Sequence, residues 1–63
     1  MKNANVTKEE IVKQIAAGRD FVVYNYMTGE VVSFHKSRDS GMRKAAKMGY
    51  RFNCGNLRAG YGY

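Results

Sequence analysis

Phe21-Val22-Val23-Tyr24-Asn25-Tyr26 and Glu30-Val31-Val32-Ser33-Phe34-His35, joined by Met27-Thr28-Gly29, form the stretch whose reading decides the fold. Both flanks are dense in β-branched and aromatic side chains, which suit a pleated surface. The glycine between them can take a positive φ. The pattern predicts a β-hairpin. Its register depends on loop length, because a slip of one residue moves every side chain to the other face. A two-residue loop groups Phe21, Val23, Val32 and Phe34 on a core face. Val22, Tyr24, Tyr26, Val31, Ser33 and His35 then share the other. We take this register because it makes one core face and one mixed face bearing tyrosines.

Upstream, Thr7-Lys8-Glu9-Glu10 has the spacing of a capping box, and Ile11, Val12 and Ile15 follow on one apolar face. This predicts a helix over about residues 8–17, stopped by Gly18 in the left-handed region. Downstream, Ser37, Asp39 and Ser40 are candidate caps for a second helix over about 39–48, with Gly49 as its C-cap. At about 100° per residue, Met42, Ala45, Ala46 and Gly49 lie on its inner side, opposite Arg43, Lys44 and Lys47. Tyr50-Arg51-Phe52-Asn53-Cys54 alternates apolar and polar, as a short third strand does. Asn53–Asn56 reads as a turn, and Leu57–Tyr63 as a brief strand or a tail. Phe21, Phe34, Tyr50 and Phe52 are the aromatic core candidates.

The order α-β-β-α-β implies an α+β domain with two short helices on one face of a small antiparallel sheet. A single domain spans residues 1–63, with 1–6 as an N-terminal extension and 56–63 as a Gly/Tyr-rich C-terminal segment. At 63 residues, only about 60% of the unfolded chain's surface is buried on folding. One cysteine excludes an internal disulfide, and one histidine beside it leaves a structural zinc site short of ligands. An apolar content of 44% is too high for a disordered basic tail. A large enzyme, a disulfide mini-protein and a zinc finger are thereby excluded.

The net charge of +6 is not spread evenly. Residues 1–35 balance to zero, with Lys2, Lys8, Lys13 and Arg19 against Glu9, Glu10, Asp20 and Glu30. Residues 36–63 carry Lys36, Arg38, Arg43, Lys44, Lys47, Arg51 and Arg58 against Asp39 alone, and so hold the whole excess. Such asymmetry is the footprint of a protein that meets a polyanion. Exposed helices usually mix signs for i,i+4 pairing. A helix face of Arg43, Lys44 and Lys47 therefore points to phosphates or an acidic protein surface. Tyr24, Tyr26, Tyr61 and Tyr63 are candidate stacking platforms for unpaired bases, or hot spots for a protein partner. His35 and Cys54 could in principle form a base and nucleophile, but no acid is placed to orient the histidine. No phosphate-cradling glycine loop is present, and neither cofactor nor metal is expected.

Thr28-Gly29-Glu30 in a hairpin, then Ala45-Ala46-Lys47-Met48-Gly49, loosely resembles the small DNA-binding repeats appended to homing endonucleases. The alanine-to-glycine spacing is shorter than in those repeats, and residues 50–63 hold no second helix pattern. The chain is therefore assigned to no family. The leading expectation is a non-enzymatic module that binds nucleic acid through backbone phosphates, with tyrosine stacking. The alternative is an inhibitor of the phage or mobile-element type, docking its cationic face on a host protein or nucleic-acid-handling complex. No apolar run approaches the roughly 20 residues of a membrane span. Nothing at the start resembles a signal peptide, so a complete cytoplasmic protein is expected. A thin core and an open strand edge make a homodimer a further expectation.

Overall fold

The computed structural model describes residues 4–59. Val22, Val23 and Tyr24 are consecutive and all buried, at 0%, 0% and 1% exposure. Neighbouring residues of a strand point to opposite faces, so such a run requires a strand covered on both sides. That strand is β1 (Phe21–Asn25), the centre of a three-stranded antiparallel sheet. It is flanked by β2 (Val31–His35) and β3 (Phe52–Asn56) in the order β2-β1-β3.

The hairpin is present, but its faces differ from the sequence expectation. Tyr24 lies opposite Val31 as the two-residue loop implies; then the register shifts, and Val23 faces Ser33, Val22 faces Phe34 and Phe21 faces His35. Val32 is the extra residue of a β-bulge, which moves everything beyond it by one position. Phe34 therefore shares a face with Val22 and Tyr24, while His35 and Ser33 share one with Phe21 and Val23. The loop is also longer. Asn25 N–H donates to Glu30 O at 2.8 Å and Gly29 N–H to Asn25 O at 2.6 Å. The Asn25 side chain accepts from Met27 N–H at 2.8 Å. Gly29 supplies the positive φ of 84° that closes the turn.

The helices do not share one face of the sheet, as the sequence reading expected. Helix α1 (Lys8–Ala16) is capped by the Thr7 hydroxyl, which accepts from Glu10 N–H at 3.1 Å. Its Ile11 joins Ala4, Val22, Tyr24 and Leu57 in the main core, edged by Val6, Ile15, Tyr26, Val31 and Phe34. Helix α2 (Arg38–Met48) is capped by Ser37 and covers the opposite face, where Gly41 abuts Cys54 and His35. The sheet is thus a middle layer between two helices. After β3, a 3-10 turn η1 (Leu57–Ala59) buries Leu57, whose N–H donates to Asp20 O at 2.8 Å.

β3 begins two residues later than the alternation suggested, so Asn53–Asn56 pair with β1 and are not a turn. Helix α2 is rotated too. Its buried residues are Gly41 and Ala45, whereas Met42, Ala46 and Gly49 are exposed. At about 100° per residue this is a turn of roughly 70° from the expected inner side. The cause is Gly41, whose missing side chain lets the helix backbone approach the sheet. A Cβ there would overlap Cys54 Sγ and lie 3.6 Å from Cys54 Cβ and 3.8 Å from His35 Cβ.

Gly41→Ala is therefore expected to destabilise the domain by about 1 kcal/mol, overpacking outweighing the gain in helix propensity. Cys54→Ala removes the obstructing sulfur. Urea unfolding of both single variants and the double variant should give a favourable coupling between the two changes. Strict additivity would contradict the close approach.

Candidate functional site

Placing α2 against the sheet through Gly41 and Ala45 turns its remaining circumference to solvent. Arg43 and Lys47, one helical turn apart, form an outward ridge, and both are exposed. Lys44 is half-buried on the shoulder nearer β2. With Ser37, Asp39 and Ser40, these three cations line a shallow open groove. Lys36 and Arg38 are exposed at the start of the helix, and Arg51 beyond its end. The cations of residues 36–51 thus lie along α2 and at its two ends.

Two hydrogen bonds fix the origin of this ridge. His35 on β2 contacts Ser40 Oγ through Nδ1 at 2.9 Å and Ser33 Oγ through Nε2 at 2.7 Å. The imidazole ties the first turn of α2 to the sheet and has both ring nitrogens engaged. Ser40 N–H donates in turn to the capping Ser37 hydroxyl at 3.2 Å. Burial pushes the Cys54 thiol above its ordinary value of 9.0, and the nearby Arg38 charge offsets this in part. A thiol raised in this way is protonated at neutral pH. As arranged, His35 ties α2 to the sheet and Cys54 packs against Gly41 as a neutral thiol.

Acids modify the cationic set at two points. Arg43 pairs with Asp39 one turn earlier, Nη2 to Oδ2 at 3.2 Å, with both side chains in solvent. Exposed pairs of this kind are weak and screened by salt, so Arg43 can exchange Asp39 for an external anion. Arg58 is different. It stands on η1, its Nε 3.1 Å from Asp20 Oδ2, and that carboxylate's other oxygen is enclosed without a hydrogen-bond partner. Arg58 thus pairs with Asp20 from η1, apart from the cations carried by α2.

The tyrosines exchange roles. Tyr24 is in the core, because β1 is covered on both faces. Tyr26 is half-buried at the turn, its N–H donating to Arg51 O at 3.0 Å. Tyr61 and Tyr63 lie outside the described residues. Tyr50, expected in the core, is 81% exposed, and the Arg51 guanidinium sits 5.6 Å from its ring centroid. It precedes β3 instead of starting it, so the alternation that would bury it does not apply. Met42 at 45% and Met48 at 40% are exposed near it. Tyr50, Met42 and Met48 are surface residues around α2 that sequence reasoning missed, and on α1 Val12, expected on the apolar face, is exposed. For Tyr50 the signal is the glycine cap immediately before it, which breaks the helix before the strand has begun.

No family model matches the chain, and the searches of characterised proteins and of solved structures found no significant match. No helix among the described residues is long and apolar enough to cross a membrane.

Proposed function

We propose that this protein is a non-enzymatic nucleic-acid-binding module that grips backbone phosphates along α2. The observation carrying this reading is the exposed ridge of Arg43 and Lys47, with Lys44 beside it and Lys36, Arg38 and Arg51 at its ends. The only acid between residues 36 and 51 is Asp39. By contrast, α1 mixes Lys8 and Lys13 with Glu9 and Glu10. Neutralising phosphates releases condensed counterions, so affinity should fall with salt by about 0.7 to 0.9 log units per decade for each contact. Fluorescence anisotropy of a labelled oligonucleotide at several salt concentrations tests this. A flat salt profile, or no binding at low salt, would remove the proposal.

Asp39 adjusts the site. Asp39→Asn releases Arg43 and removes the one negative charge from the groove. It is expected to raise affinity about two- to fivefold, comparable to adding part of one phosphate contact. The same change removes an acid from the first turn of α2 and should cost about 0.3–1 kcal/mol of stability. Anisotropy and thermal melting on the same sample separate the two effects.

A second reading, an inhibitor docked on an acidic host protein, draws on exposed Met42 and Met48 beside the ridge. Pull-down from a host lysate with and without nuclease distinguishes it. Stoichiometric protein surviving nuclease favours the inhibitor, and nucleic acid alone favours the binding module.

A further inference from the structure

We infer that the nucleic acid taken by this site is single-stranded, with its backbone along the Arg43–Lys47 ridge and a base stacked on Tyr50. This rests on the nucleic-acid reading and adds to it the strand state and the residue that senses it. Two surfaces adjoin on α2. The ridge is one; the other is an apolar groove lined by Met42, Ala46, Gly49, Tyr50 and Phe52. Arg43 and Ala46, three residues apart, are neighbours on the helix surface, so the Met42–Ala46 row runs parallel to the Arg43–Lys47 row.

A duplex turns its phosphates outward and hides its base faces, so it satisfies the ridge and leaves the groove wet. An unpaired strand shows charge along one side and π faces along the other. The site has that same division, with cations on the ridge and apolar groups on the adjoining shoulder. Tyr50 is 81% exposed, and Arg51 lies over its ring at 5.6 Å. Stacking a base on that ring would extend an aromatic–guanidinium stack already in place. Charge complementarity selects a polyanion over an apolar protein segment, since the groove is bordered by Arg43, three residues from its Ala46, and by Arg51 over Tyr50.

The test uses the full chain with fluorescein-labelled oligothymidylate of about 12 nucleotides, within the usual footprint of single-strand binders. A duplex of equal length provides the comparison. The single strand is expected to bind about tenfold tighter. Tyr50→Ala should weaken single-strand binding by about 5- to 100-fold, leave duplex binding unchanged and keep the circular dichroism of the parent. Tyr50→Phe should retain the parent's affinity, and the Tyr50 ring protons should shift upfield in the complex. Equal binding of both probes, with Tyr50→Ala silent and salt dependence intact, overturns this inference and leaves the phosphate reading standing. Loss of salt-dependent binding to both probes overturns the two together. Retention of an acidic protein through Tyr50, without binding of either probe, also overturns both.

Discussion

Tyr24→Ala is expected to leave the domain largely unfolded at room temperature. Tyr24 is the largest of the fully buried side chains, at 1% exposure on the central strand. It lies opposite Val31 on β2 and Asn53 on β3, and it shares its cluster with Ile11 and Leu57. Truncating a buried aromatic to alanine removes its transfer free energy and leaves a cavity, which together cost about 3–5 kcal/mol. At roughly 0.05–0.15 kcal/mol per residue, a chain of this length has about 3–9 kcal/mol in total. A core this thin places the chain toward the low end of that range, where the substitution removes most of the stability or all of it. Thermal melts by circular dichroism should show no cooperative transition, or one far below the parent's. Tyr50→Ala, at an exposed position, should stay within about 0.5 kcal/mol of the parent. If Tyr24→Ala melted like the parent and lost only affinity, β1 would not be covered on both faces.

These two tyrosines show where sequence reasoning succeeds and where it stops. The hairpin, both helices, the caps at Thr7 and Gly49, and the α-β-β-α-β order follow from local chemistry, and the structure has them, with Ser37 the cap among the three candidates for α2. The faces do not follow from local chemistry. Alternation along β1 puts one face in the core and the other outside, yet Val22-Val23-Tyr24 is a continuous apolar run, the pattern of a strand buried on both sides. Reading it so would have placed a helix on each face and Tyr24 inside. The bulge at Val32 is less accessible to such reasoning. Val31-Val32 suits either alignment, and only packing of Phe34 beside Val22 decides between them.

The site divides similarly. The sign and location of its charge are properties of composition, so the cations of α2 were legible before any geometry. Their grouping depended on the rotation of the helix. Met42, Ala45, Ala46 and Gly49 looked like an inner face because apolar and small residues were counted alike. A glycine at position 41 allows closer approach to Cys54 than any of them, and close approach set the rotation. In consequence Met42 and Ala46 are exposed beside the ridge. Arg58 was counted with the cationic set because its partner, Asp20, is distant in sequence and meets it only when η1 packs back on the start of β1.

Arg43→Glu combined with Lys47→Glu is expected to produce the largest loss of binding. The pair forms the outward ridge, and neither residue enters the core. If each contacts one phosphate of an unpaired strand, the salt slope should fall by about 1.4 log units per decade. Near 0.1 M salt the two lost contacts alone correspond to about 25-fold in affinity, and reversed charges add repulsion, giving on the order of 100-fold. Stability should change little, since the Arg43–Asp39 pair is fully in solvent. An acid in the last turn of α2 opposes the helix dipole by about 0.3–1 kcal/mol. The decisive control is Lys8→Glu with Lys13→Glu, which changes the formal net charge of +6 by the same amount. Those lysines are on α1, across the sheet from α2. If total charge governed binding, both double variants would lose affinity equally. A local ridge requires the α2 variant to lose its affinity and salt slope, and the α1 variant to keep most of both. Equal losses in anisotropy titrations would therefore count against α2 as the interface, even with nucleic-acid binding itself established.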